Sequence, residues 1–137
     1  MKFFFDNNLS AHLAHGVREL SELMPGVDRI VHLTDCFEKN APDLTWIGEL
    51  SKEGPWYIIS IDCFKKHHGA ERATICRAGH TVFVLDGPWS KHGFWMQTER
   101  FVRWWPQMVD YSSRVTGGAY RVPWQHARNT KFQAITF

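Results

Sequence analysis

Trp56-Tyr57-Ile58-Ile59-Ser60-Ile61-Asp62 is the stretch that decides the fold. It follows Gly54-Pro55, is rich in β-branched and aromatic residues, and stops at a carboxylate. A short apolar run of this kind, bounded by turn residues, reads as a strand over 56–61. The same arrangement stands at the N-terminus, where Lys2-Phe3-Phe4-Phe5 runs directly into Asp6. Residues just past the carboxyl ends of strands in a parallel α/β sheet face the ligand crevice. Two strands that each deliver an aspartate to that edge point to a site built of carboxylates.

The segments between these strands read as helices. Leu9, Leu13, Val17, Leu20 and Met24 recur at helical spacing, which predicts an amphipathic helix over roughly 9–24. Asn8 or Ser10 can cap it, and Pro25-Gly26 ends it. Residues 29–33 read as a strand and 34–42 as a loop. A helix opens at Asp43, with Trp46, Ile47 and Leu50 on its apolar face and Gly54-Pro55 as its stop. Another helix is expected near 67–78, closed by Gly79 as a left-handed cap. Thr81–Leu85 reads as a strand ending at Asp86-Gly87-Pro88. Phe94, Phe101, Trp105 and Met108 suggest a further helix, which Pro106 should kink or shorten. Arg121-Val122 reads as a last edge strand stopped by Pro123, and nothing is assigned beyond Trp124. Strands alternating with helices imply a three-layer α/β/α sandwich with a mostly parallel central sheet. Right-handed crossovers then place the helices according to strand order.

A chain of 137 residues, 44% of them hydrophobic, suits one domain with a sizeable core. No apolar run approaches the roughly 20 residues of a membrane span, and the N-terminus lacks the pattern of a signal peptide. Cys36, Cys63 and Cys76 are odd in number and show no CxxC spacing, so a reducing cytoplasm is the expected location. Residues 1–86 carry 9 Lys/Arg against 12 Asp/Glu, whereas residues 87–137 carry 7 against 2. An acidic half and a basic, aromatic half from about residue 87 fit a polyanionic substrate, and equally a solvated basic tail.

Three carboxylates gathered at a sheet edge repel one another unless a cation sits among them, and hard divalent cations prefer oxygen ligands. Asp6 and Asp62 end strands. Asp43 lies three and four residues before Trp46 and Ile47 and therefore shares their inward face. A carboxylate at the rim of an apolar face is costly unless paired or metal-bound. Each also has a plainer reading: Asp6 as turn chemistry before Asn7-Asn8, Asp43 as a complement to the helix dipole. Asp86 is accounted for by the turn at Gly87-Pro88.

The opening FFFDNNLS, the stretches PDLTWIGEL and WYIISIDCFKK with its following ERA, and the aromatic FVRWWPQMV occur in one order. Together with the closing YRVP and KF they resemble the PIN-like domains, specifically a small VapC-type toxin branch. The resemblance implies a PIN-like α/β/α fold and a Mg²⁺- or Mn²⁺-dependent ribonuclease whose acidic site is carried by Asp6, Asp43 and Asp62. It also implies the toxin half of a toxin–antitoxin pair, with RNA as substrate and a cognate antitoxin protein as partner. Many PIN domains use four acids. Asn7 stands where related small domains sometimes have Glu, and Glu38 and Glu71 are the unplaced candidates for the fourth. Asn7 could position a ligand or a water. Lys65, Lys66 and Arg72, just past Asp62, could contact phosphate or form an exposed helix start.

Other patterns carry less. His12 with His15, and His67-His68, do not match a zinc-binding spacing. No nucleophile triad and no glycine-rich phosphate loop stands out. Trp89, Trp95, Trp104, Trp105 and Trp124 lie among Lys91, Arg100, Arg103, Arg121 and Arg128. Such a mixture can stack unpaired bases along a phosphate backbone, or pack a helix and a protein interface. Trp105 matches the apolar face; for Trp89, Trp124 and Arg121 both readings stand. The aromatic content is compatible with a homodimer. The alternatives to a ribonuclease are a non-catalytic RNA- or protein-binding domain of the same fold, and a phosphoacceptor receiver. A receiver needs paired acids after its first strand and a lysine after its last, and neither is here.

Overall fold

In the computed structural model, β1 (Lys2–Phe5), β2 (Arg29–His32), β3 (Tyr57–Ser60), β4 (Thr81–Leu85), β5 (Gly118–Val122) and β6 (Gln133–Ile135) form one sheet in the order β2-β1-β3-β4-β5-β6. The structure describes residues 1–85 and 87–137, with His67 described by its backbone alone. Asp86, expected at the end of a strand, lies outside the described residues. The first five strands pair in parallel and only β6 runs antiparallel, against β5. The expected mostly parallel three-layer architecture is present. Arg121-Val122 does not form an edge: β6 covers that side of β5.

Strand alternation sorts the core into two layers. Phe3, Phe5, Ile59, Phe83 and Leu85 point to one face, where α1 (Ala11–Leu20) and α5 (Phe94–Ser112) pack. Phe4, Ile58, Val82 and Val84 point to the other, under α3 (Asp43–Ser51) and the partly aromatic wall around Trp46 and Phe64. The short α2 (Leu33–Cys36) and α4 (Ala70–Arg77) complete that second layer. The connection through α5 moves across the sheet in the opposite direction to that through α1, yet lies on the same face. The two therefore have opposite hands, a departure from the uniform right-handed rule. The physical reason is the aromatic stripe Phe101, Trp104 and Trp105, which is buried beside α1; the Trp105 indole N–H donates to Ser21 at 2.8 Å.

Several boundaries differ from the sequence expectations. The first helix stops at Leu20 because Ser21 turns back to bond the Val17 carbonyl with its hydroxyl; Ser10 is its N-cap. Leu33, expected to end a strand, and residues 34–36, expected in a loop, form a helix because His32 and Asp35 make a reciprocal cap. Pro106 does not shorten the last helix, which runs through it to Ser112. Pro106 is exposed, so the carbonyl deprived of its partner faces water. Among the described residues, no helix is long and apolar enough to cross a membrane.

Candidate metal centre

The two-residue period that sorts the core also gathers the acids. Phe4 faces the α3 layer, and Asp6 continues that alternation; so do Ser60 and Asp62 after Ile58. Asp43 opens α3, and Glu71 lies in the first turn of α4, which packs against α3. Asp43, Asp62 and Glu71 each offer a carboxylate oxygen within 4.8 Å of the others. Glu71 is wholly buried; Asp43 and Asp62 are half-buried at the mouth.

Each acid is held by its own local device. The Trp46 indole N–H donates to Asp43 Oδ1 at 3.1 Å, while its ring stacks on Phe4 with centroids 4.8 Å apart. Asp62 Oδ1 accepts the backbone N–H of Phe64 at 3.0 Å. Phe64 adopts a left-handed φ of 55°, which its fully buried ring, set edge-on to Trp46, holds in place. Asp6 is 6% exposed. Its Oδ1 accepts the Asn7 backbone N–H at 2.6 Å, and its Oδ2 accepts the Ser60 hydroxyl at 2.7 Å and the Asn8 amide at 3.4 Å. Ser60 Oγ in turn accepts from the Asp62 backbone N–H at 2.9 Å and from the Asn8 amide at 3.0 Å. One hydroxyl thus links two acids, with its donor and both acceptor sites used.

The close-set carboxylates repel one another, and burial adds to the cost of ionising them. Burial raises the Glu71 carboxyl from 4.5 to about 7, helped by Asp43 and Asp62 and opposed by Lys66. Burial raises Asp6 from 3.8 to about 6; the bonds from Ser60 and Asn7 pull it down, and Asp43 and Asp62 push it up. Asp6 therefore lies in the field of the close-set group while its oxygens are occupied by donors. A donor set made of three close carboxylates fits a hard divalent cation. Asp43, Asp62 and Glu71 are the residues placed to hold it.

The sequence candidates distribute as follows. Asp43 and Asp62 meet, and Asp6 stands behind them. Glu71 is the fourth acid, and Glu38 is exposed on the loop after α2, outside the close-set group. Asn7 donates its side-chain amide to the Lys39 carbonyl at 2.8 Å, so the side chains supporting Asp6 are Asn8 and Ser60. Ser60 carried a signal, being the polar residue inside an apolar strand. Glu71 carried one too, four residues before the buried Ile75 on one helix face. Lys65 and Lys66 are exposed beside the mouth. Arg72 donates to the carbonyls of Cys63 and Thr136 at 3.0 and 3.1 Å and covers the Phe137 ring, tying the chain end to the Asp62 loop. Arg121 lies on β5 with its guanidinium 3.4 Å from Gln133 Oε1. Among the described residues, no histidine joins a metal-sized cluster.

A family model described as PIN like domain matches residues 1–87, the part that holds all four acids. No curated protein and no solved structure matches the chain.

Proposed function

This chain belongs to the PIN-like domain family, and from that premise we propose that it is a metal-dependent endoribonuclease. Domains of this family are often nucleases that use divalent metals. The observation that carries the reading is the close approach of Asp43, Asp62 and the buried Glu71. These residues would hold Mg²⁺ or Mn²⁺, with Asp6 supporting them through Ser60. Bound there, the ion supplies an activated water and neutralises charge on a phosphodiester. The protein does the rest. Trp46 fixes the Asp43 carboxylate, and the Asn8–Ser60 pair fixes Asp6. Exposed Lys65 and Lys66 offer point charges to the flanking phosphates, whose hydration they replace.

In the cell we place it as the toxin of a VapC-type toxin–antitoxin pair, acting in the cytoplasm. The cognate antitoxin would put a Lys or Arg into the acidic crevice, where a buried charge pair substitutes for the cation. A complex that leaves Asp6 and Asp62 open to solvent would count against that arrangement. A homodimer is compatible with this role.

The test is cleavage of mixed-sequence single-stranded RNA with Mn²⁺ or Mg²⁺, and with EDTA, by the wild type and by Asp62→Asn and Glu71→Gln. Metal-dependent cleavage lost in both folded variants is the expected result. Full activity in Asp62→Asn would sink the assignment, and absence of cleavage by the wild type would favour a non-catalytic RNA- or protein-binding role. Growth arrest on expression, relieved by Asp62→Asn, tests the toxin role separately.

A further inference from the structure

The chain has seven tryptophans, and the fold leaves one of them in water. Trp46, Trp56, Trp89, Trp104 and Trp105 are buried. Trp124 is half-buried, stacked on His92 at 3.9 Å with Arg100 over its ring at 4.3 Å. Trp95 is 80% exposed. Indole is usually well buried in a folded domain, so an exposed one needs a reason.

Its position supplies the reason. Trp95 stands in the first turn of α5, reached from the carboxyl end of β4. β4 runs parallel to β3, its neighbour, which delivers Asp62 at the same end. The two segments leave the sheet about 5 Å apart. The acids lie on the α3 side of the sheet and α5, whose first turn carries the outward-facing Trp95, packs on the other side, so the two stand on opposite sides of the same sheet rim. The start of α5 is also stiff. The Gln97 amide donates to the carbonyls of Trp89 and His92 at 2.7 and 2.9 Å, closing the corner before the helix. Phe94 meets the Trp95 ring edge-on at 5.3 Å, backing one side of it.

The charged residues near the ring along the chain are Lys91, Glu99, Arg100 and Arg103. Lys91 is exposed four residues ahead and makes no ion pair among the described residues. Arg103 lies two turns further along the helix, loosely paired with Glu99 at 3.9 Å. An exposed aromatic ring backed by Phe94, with the exposed Lys91 close to it in the chain and on the rim that carries the acids, suits a flexible polyanion with unpaired bases.

We propose that Trp95 is a stacking platform for an unpaired base of single-stranded RNA whose phosphodiester lies at the Asp43–Asp62–Glu71 cluster. The proposal deepens the ribonuclease reading and rests on it for the identity of the polyanion. Lys91 steers the backbone between the two points, and a strand a few nucleotides long spans the rim.

The test has a binding arm and a cleavage arm. Binding of mixed-sequence single-stranded RNA is measured with Ca²⁺ as the only divalent ion, for the wild type and for Trp95→Leu, Trp95→Phe and Trp95→Ala. Leucine and alanine should weaken binding about five- to a hundred-fold, the range of one lost base stack, and phenylalanine should restore part of it. RNA should quench the solvent-exposed tryptophan emission of the wild type but not of Trp95→Phe. In the cleavage arm, Trp95→Leu should lose kcat/KM on RNA while keeping it on bis(p-nitrophenyl) phosphate, which is too short to reach from the acids to the ring. Unchanged RNA affinity in Trp95→Leu, or no RNA binding by the wild type, overturns the proposal. So does a change of oligomeric state in Trp95→Leu with RNA affinity intact, which would assign the ring to a protein interface. Wild type that binds RNA through Trp95 but hydrolyses neither substrate leaves the platform standing and removes the nuclease reading.

Discussion

Replacing Glu71 with glutamine should make the metal-free protein more stable above neutral pH. Glu71 is wholly buried against Asp43 and Asp62, and its carboxyl is raised from 4.5 to about 7. Below pH 4.5 it holds its proton in the folded and the unfolded chain alike, and the cluster costs nothing. As pH climbs through about 7, the folded chain must ionise a group that burial and two neighbouring acids favour as neutral. The unfolded chain has released that proton already, so stability is lost over this window. A displacement of this size amounts to ~3 kcal/mol at the usual conversion. Water at the mouth screens the two half-buried partners, which brings the expected loss to about 1–2 kcal/mol. Glutamine keeps the volume and cannot ionise. E71Q should therefore gain about 1–2 kcal/mol over wild type at about pH 8 in EDTA, and nothing near pH 4. Metal reverses the order: at a hundredfold excess over Kd the wild type gains ~3 kcal/mol from Mn²⁺, and E71Q, lacking one ligand, gains far less. Urea unfolding followed by tryptophan fluorescence reads both effects, and the comparison with wild type cancels the contributions of Asp6 and His80. Equal midpoints in EDTA at high pH, or an equal gain from Mn²⁺, would refute the idea that these carboxylates form one charge-loaded site.

Three further outcomes follow from local geometry. Ser60→Ala removes the hydroxyl that links Asp6 to the Asp62 backbone; it should cost about 2 kcal/mol in urea unfolding and weaken Mn²⁺ binding in a calorimetric titration. His80 is buried, accepts the Trp56 backbone N–H on Nδ1 at 2.9 Å, and is lowered from 6.5 to about 4 by burial and then by Lys2. Its neutral ring stabilises the fold fully above 6.5, and that stability is lost as pH falls toward 4. His80→Asn keeps an acceptor that cannot titrate, so stability measured against pH should lose up to about 3 kcal/mol of its acid slope. Pro106→Ala restores a backbone donor on the exposed face of α5 and should raise the thermal midpoint, by an amount corresponding to about 1–2 kcal/mol; an unchanged midpoint would show that the carbonyl beneath Pro106 is fully served by water.

The fold class was legible because it depends on short-range patterns. Phe3-Phe4-Phe5 and Ile58-Ile59 are apolar on both sides, and only a sheet covered on both faces accepts such strands. Their length and the turn residues around them needed no tertiary information. Asp6 and Asp62 were legible for the same reason, since a strand end fixes where the next residue stands. Asp43 was legible from its spacing to Trp46, and the indole bond to its carboxylate shows why that spacing matters. What the sequence left open was decided by packing between distant segments. Glu71 shared a helix face with Ile75, but what it would meet was undecided until α4 packed on α3 and brought it against Asp43. Asn7 was the expected support for the site and Asn8 a candidate helix cap; the Lys39 carbonyl claimed the Asn7 amide, and the Asn8 amide went to Ser60. The tryptophans of the basic half were likewise indistinguishable by composition. The apolar stripe of α5 buried Trp104 and Trp105 and turned Trp95 outward. Local pattern fixes which residues end a strand or share a helix face, but which faces then meet depends on contacts made across the whole chain.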